Sequence, residues 1–375
     1  MSIQSKFCIV PFKTALVDRD GIMVPCCEYD IGDRSEATKI NNVVKWWNTD
    51  MQLLRDDMVA GRENKGCHHC IKKEKNPNVA SHRKHINRLY GNQILTTADA
   101  IDSIEIRVSN YCNLKCIMCG PYASSSISAE CRDYETEYKN IGLMIPYEET
   151  TRWWDDADSM HQLKLILANV SNINFAGGEP LLVPEVIALL DSLDLSKIKR
   201  ISFNTNLTRV SNKFLLAIKR FERVDIGVSL EGHGAHNDYV RFGSDWSIIE
   251  KNIKILSNLN NVVLSINHVL QHTSIYSLPN LLTFVNSMKL GIQASEVYVA
   301  NNDPSQAMLE IHSAPQDAVD KFNNWLSSYN GIHKHVIQHW VDSYSFNQPL
   351  YDKFCKYTSM LDKIRGCDFQ KTFLL

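Results

Sequence analysis

Six short β-prone runs recur through the middle of the chain, and amphipathic runs with helical spacing follow several of them. The β-prone runs are Ser103–Val108, Asn172–Ala176, Arg200–Asn206, Asp225–Leu230, Val262–Val269 and Ser295–Ala300. The helical runs are Pro184–Leu193, Asn212–Phe221, Trp246–Leu259 and Leu278–Met288, with Pro184 and Pro279 placed where a first helical turn tolerates proline. This alternation predicts βα units on a parallel sheet, in an α/β fold. Six units are fewer than the eight of a closed barrel.

Alternate residues of a strand face opposite sides of a sheet. One parity here is apolar: Ile201 and Phe203, Ile226 and Val228, Leu264 and Ile266. The other turns polar towards each strand's end: Asn204 and Asn206, Ser229 and Glu231, Ser265 and Asn267. A parallel sheet buried on both faces is near-continuously hydrophobic. The repeated polar parity therefore predicts a lumen that holds a polar ligand at the C-terminal ends of the strands, where sites of such barrels lie.

Just after the first of these strands comes CNLKCIMC, with Cys112, Cys116 and Cys119. Structural zinc takes four ligands, so three thiolates leave one corner of a metal site open. The chain starts without a charged-then-apolar leader and has no run of about 18 apolar residues. The expectation is a cytoplasmic protein without a membrane span, whose clustered cysteines stay reduced and serve metal or redox chemistry. After the second strand comes AGGEP, with Gly177, Gly178 and Glu179. A glycine pair lets the backbone pass where a Cβ would clash, and Glu179 offers a carboxylate suited to an ammonium.

CxxxCxxC after one strand and GGEP after the next resemble the radical S-adenosylmethionine (SAM) superfamily. The resemblance implies a partial (β/α)6 TIM-type barrel, open on one side for substrate. It implies that Cys112, Cys116 and Cys119 hold a [4Fe–4S] cluster whose open iron chelates SAM. One electron would then cleave SAM to methionine and a 5′-deoxyadenosyl radical that abstracts a substrate hydrogen. By the same resemblance Gly177, Gly178 and Glu179 meet the SAM amino group, and Ser229 contacts the ribose or carboxylate. Arg241 binds the carboxylate, as a guanidinium fork can. Met118 stands where relatives often carry an aromatic residue, and its thioether can pack on the adenine. Asn206 joins the cofactor-binding set.

The first hundred residues carry a second cysteine pattern. Cys8 is followed after twelve residues by Gly21, then by Cys26 and Cys27, and later by Cys67 and Cys70 in GCHHC. With WWNTDMQLLRDDMVAG between them, this resembles the SPASM module, or its shorter twitch form. The resemblance implies a second, auxiliary [4Fe–4S] cluster on Cys8, Cys26, Cys67 and Cys70. Spacing favours Cys26 over its neighbour Cys27, and four cysteines equally suit structural zinc. The module precedes the barrel here, whereas it commonly follows it in relatives.

The expected organisation is a cysteine-rich auxiliary module over residues 1–75, a basic linker over 76–100, the barrel over 101–301 and a helical extension over 302–375. Residues 72–90 carry six Lys or Arg against one Glu. Cys27, Cys131, Cys355 and Cys367 read mostly as small buried hydrophobes. Charge is balanced, 40 basic against 42 acidic residues, which argues against broad nucleic-acid binding. Twitch and SPASM relatives commonly modify peptides or proteins. The expectation is a peptide or protein substrate and a reducing partner such as flavodoxin or ferredoxin. A small carbohydrate or nucleoside substrate is the alternative, and a non-catalytic iron–sulfur sensor the reading from another class.

Overall fold

The structure is a computed structural model. It describes residues 6–75, 81–98, 100–143, 149–296, 304–331 and 333–374. The chain divides into two units: residues 1–110, 150–203 and 212–224 form the first, and residues 111–149, 204–211 and 225–375 the second.

Ten strands are formed among the described residues: β1 (Thr14–Val17), β2 (Met23–Val24), β3 (Ser103–Arg107), β4 (Lys115–Cys116), β5 (Asn172–Ala176), β6 (Arg200–Thr205), β7 (Val224–Ser229), β8 (Arg241–Phe242), β9 (Val262–Leu270) and β10 (Gly291–Glu296). The first unit carries the order β6-β5-β3-β1-β2, parallel except for the closing hairpin of β1 and β2. The second carries β7-β9-β10, with β9 and β10 parallel, and a separate antiparallel ribbon of β4 and β8. Helices between successive strands, such as Pro184–Ser192 and Trp246–Ser257, complete an α/β fold of the partial-barrel kind, and no closed barrel forms among the described residues.

Burial follows the parity read from the sequence. Ile201, Phe203, Ile226, Val228, Leu264 and Ile266 are all buried. On the other parity Asn267 Nδ2 donates to Asn204 Oδ1 at 3.0 Å. Gly227 lies against both amides, since a Cβ there would stand 2.4 Å from Asn267 Nδ2. The three residues form one continuous polar strip across neighbouring strands.

Three features depart from the sequence reading. The last strand runs Gly291–Glu296, earlier than expected, and residues 297–300 of the expected strand lie outside the described residues. The helix after β9 begins at Ser274, so Pro279 lies inside it rather than in its first turn. An early start is possible because Ser277 N already bonds back to Thr273 O at 3.2 Å, and proline removes a single donor from the ladder. The N-terminal segment also contributes strands: β1 pairs in parallel with β3, with Ala15 opposite Ile104. Gly21 shapes the β1–β2 turn. It takes φ +80°, its N–H donates to Asp18 O at 2.8 Å, and a Cβ would stand 2.9 Å from the Trp153 Cβ. The glycine that follows Cys8 after twelve residues is thus required by a left-handed turn under an indole.

Candidate active site and metal centres

Cys112, Cys116 and Cys119 belong to the second unit, and Cys112 and Cys116 are buried within its core. Ser124 fixes the loop by donating to Leu114 O at 2.6 Å, and Ser126 by donating to Cys112 O at 2.7 Å. The C-terminal helix Gln348–Arg365 covers the loop. Phe354, Tyr357, Met360 and Leu361 join Cys112, Cys116, Ile117 and Met118 in one apolar cluster, and Tyr357 Oη donates to Ile117 O at 3.0 Å. Apolar walls of this kind keep water away from the sulfurs and lower the local dielectric.

Two polar side chains reach the sulfurs. Asn206 Nδ2 lies 3.8 Å from Cys112 Sγ and also donates to Asn113 Oδ1 at 3.0 Å. Arg241 Nη1 lies 3.7 Å from Cys116 Sγ. The backbone imposes the second contact, because Cys116 pairs with Arg241 across the β4–β8 ribbon. The hydrogen bond from Cys119, and the Arg241 guanidinium acting against burial, hold the Cys116 thiol down at about 7. Cys119, which donates that hydrogen bond, is pushed well up in turn, so the thiolate is favoured at Cys116 and the thiol at Cys119. Arg241 is buried, not a surface residue, and its Nη2 pairs with Glu231 Oε1 at 2.7 Å. Its Nε is buried and has no hydrogen-bond partner among the described residues.

Glu231 was visible in the sequence as part of the polar parity, but nothing there marked it as the partner of Arg241. It is fully buried, and its Oε2 accepts from Val269 N at 2.9 Å. His268 Nδ1 lies 3.3 Å from the same oxygen and 2.9 Å from Leu230 O. A carbonyl only accepts, so Nδ1 carries the proton. Burial pushes the His268 pKa down and keeps the ring neutral. Ser229 is half-buried at the end of β7.

Gly177, Gly178 and Glu179 lie in the first unit. Gly177 takes φ +113°, and a Cβ there would stand 2.8 Å from Ser109 O. Gly178 N donates to the same carbonyl at 2.6 Å. Gly177 is thus demanded first by the chain's own backbone at the exit of β3. Glu179 is buried, and its Oε1 caps the turn Pro180–Leu182 by accepting from Leu181 N at 3.1 Å.

The second cysteine set also converges. Cys8, Cys26, Cys67 and Cys70 line one cavity of the first unit, together with Val10, Pro11, Leu54, Met58 and Arg83. Burial first, and the mutual repulsion of the thiolates after it, push Cys8 up to about 12 and Cys67 to about 11 in the metal-free chain. Cys27 does not line the cavity; its nearest charged neighbours are Glu105, Arg107 and Glu28. The basic segment supplies part of the wall. Arg83, on the helix His82–Leu89, pairs with Glu74 and donates to Lys6 O at 2.6 Å, and its charge favours the thiolates of Cys8, Cys67 and Cys70. The motif WWNTDMQLLRDDMVAG is explained locally. Arg55 Nε donates to Pro11 O at 2.8 Å, tying the helix Met51–Val59 to the FCIVPF segment that carries Cys8. Of the remaining cysteines Cys131 is buried, Cys367 half-buried, and Cys27 and Cys355 exposed, so burial describes fewer of them than expected.

Two buried thiols and a half-buried third, with two hydrogen-bond donors, suit a cluster with one open iron. Four thiols around one cavity suit a fully ligated cluster, or zinc. Residues 106–278 match the family model described as Radical SAM superfamily. The family implies a [4Fe–4S] cluster and SAM as cofactors. Among solved structures the chain resembles Streptococcus suis SuiB bound to its precursor peptide SuiA, at 14% identity and TM-score 0.42, covering 92% of this chain and 77% of that one. It also resembles SuiB bound to S-adenosylmethionine, at 14% identity and TM-score 0.38, covering 84% of this chain and 67% of that one. SuiB alone gives 16% identity and TM-score 0.40 over the same shares. A search of curated proteins finds no match. Among the described residues no helix is long and apolar enough to cross a membrane.

Proposed function

We propose that the chain is a radical SAM enzyme that reductively cleaves SAM and takes a hydrogen from a peptide or protein, with an auxiliary [4Fe–4S] cluster on Cys8, Cys26, Cys67 and Cys70. The observation that carries this reading is the three-cysteine loop inside the segment that matches the radical SAM family model, with Arg241 and Asn206 donating to two of its sulfurs. Bound there, the cluster and SAM together supply a one-electron cleavage and a carbon radical strong enough to take an unactivated hydrogen. The chain supplies the rest. Asn206 and Arg241 stabilise thiolates, and the helix Gln348–Arg365 shields them from water. The Arg241 Nε, buried without a partner among the described residues, is the atom left for the SAM carboxylate. Glu179, Gly177 and Gly178 take the amino group, Ser229 the ribose or the carboxylate, and Met118 packs near the adenine. The peptide or protein substrate is supported by the twitch-like spacing of the N-terminal cysteines and by their convergence on one cavity. The enzyme works in the cytoplasm, fed electrons by a flavodoxin or ferredoxin.

Anaerobic reconstitution with iron counting tests the clusters. About eight iron per chain are expected, and about four after Cys112, Cys116 and Cys119 are all changed to Ala. Zinc in the N-terminal site, with no iron in the triple variant, would rule out the auxiliary cluster. With dithionite and SAM, the reconstituted protein should slowly release 5′-deoxyadenosine without any substrate. Fully loaded protein that releases none would favour a sensor. Arg241→Ala should weaken SAM binding by about 1.5–3 kcal/mol, the worth of a hydrogen bond to a charged group. An unchanged affinity would remove Arg241 from the SAM site.

A further inference from the structure

Arg241 makes a contact that binding a carboxylate does not require. Its Nη1 is turned to Cys116 Sγ, and the residue is placed there by backbone pairing of β4 with β8 rather than by rotamer choice alone. Its charge is balanced by one carboxylate, Glu231, which is itself held rigidly by Val269 N. The groups facing the pair are Cys116, Cys119 and His268, and burial keeps His268 neutral, with Nδ1 2.9 Å from Leu230 O and Nε2 3.0 Å from Ser274 Oγ. A guanidinium and a carboxylate are thus buried together, with the guanidinium 3.7 Å from the Cys116 sulfur.

We infer that the Arg241–Glu231 pair sets the reduction potential of the cluster held by Cys112, Cys116 and Cys119, Arg241 raising it and Glu231 holding that rise in check. The inference rests on the reading that these three cysteines bind a cluster. Reduction adds one electron to a group already anionic through its thiolates. A cation near a sulfur favours the reduced state, and an anion disfavours it; hydrogen bonds to cluster sulfurs act in the same sense as the cation. Low dielectric around the site keeps both effects from being screened. Arg241 and Glu231 act here through the sulfur, as positioning and electrostatic residues.

The two charges predict shifts of opposite sign, which a merely structural pair would not produce. The experiment is a redox titration of the reconstituted full chain without SAM, followed by electron paramagnetic resonance. The signal to be read is the one whose shape changes when SAM is added afterwards. In Arg241→Gln the uncompensated Glu231 should lower the potential, cutting the reduced-to-oxidised ratio at the wild-type midpoint by about tenfold or more. In Glu231→Gln the unbalanced Arg241 should raise the ratio. Arg241→Lys keeps the charge and should shift it less than Arg241→Gln. Potentials that move the same way in both Gln variants, or stay put with full iron content, overturn the inference. If Arg241→Gln fails to load iron, Glu231→Gln and Arg241→Lys decide it. Wild-type protein without iron on Cys112, Cys116 and Cys119 would defeat the cluster reading, and this inference with it. Iron content separates that outcome from a loaded cluster that ignores the pair.

Discussion

Cys26 and Cys27 share a stretch of backbone and nearly identical spacing to every other cysteine, yet only Cys26 lines the four-thiol cavity. Cys27 sits instead with Glu105 and Arg107. Cys26→Ser should therefore lower the reconstituted iron by about four per chain, one cluster's worth. Cys27→Ser should leave it whole. Equal loss from both would mean that the pair exchanges roles. Spacing also favours Cys26, but adjacent side chains of an irregular segment point apart by an angle that no sequence rule supplies.

At the scale of elements, the helix Gln348–Arg365 does most that the sequence did not announce. Its Arg365 Nη2 meets Glu130 Oε1 at 2.7 Å, on the helix Ser125–Asp133, where Lys115 and Tyr138 converge on the same carboxylate. Burial raises the Glu130 pKa, but Arg365 and Lys115 more than offset it and leave it below its ordinary 4.5. Glu130→Ala would strand a buried guanidinium and should cost about 3–5 kcal/mol in denaturant unfolding. A depressed folded-state pKa adds stability above the unfolded value and loses it as pH falls through the folded value. The gap between wild type and Glu130→Gln should therefore be full at neutral pH and shrink below about pH 4.5. A gap that persists unchanged into acid would mean that Glu130 is not ionised in the native state. The helical character of this segment was legible; its partner was not, since Tyr357 and Ile117 are separated by 240 residues.

For the molecule as a whole, the proposed function gives the two cysteine sets different jobs. A cluster on the three-cysteine site would have an open corner, and one on the four-cysteine site would not. The double change of Cys67 and Cys70 to Ala should keep the barrel-cluster spectrum and the slow release of 5′-deoxyadenosine, and lose the final product. Normal turnover of the true substrate by that variant would make the N-terminal cysteines structural. The sequence by itself determined the βα rhythm, the apolar and polar faces of β6, β7 and β9, and the two sets of cysteines. These rest on local periodicity and on ligand chemistry carried within short segments. Only the tertiary structure decided that the N-terminal strands extend the sheet beside β3, that Arg83 of the basic segment walls the four-thiol cavity, and that Arg241 faces Cys116 while bound to Glu231. Each of those depends on which distant backbones pair and which charges must find partners once buried, and a linear pattern does not record that cost until the chain has closed around it.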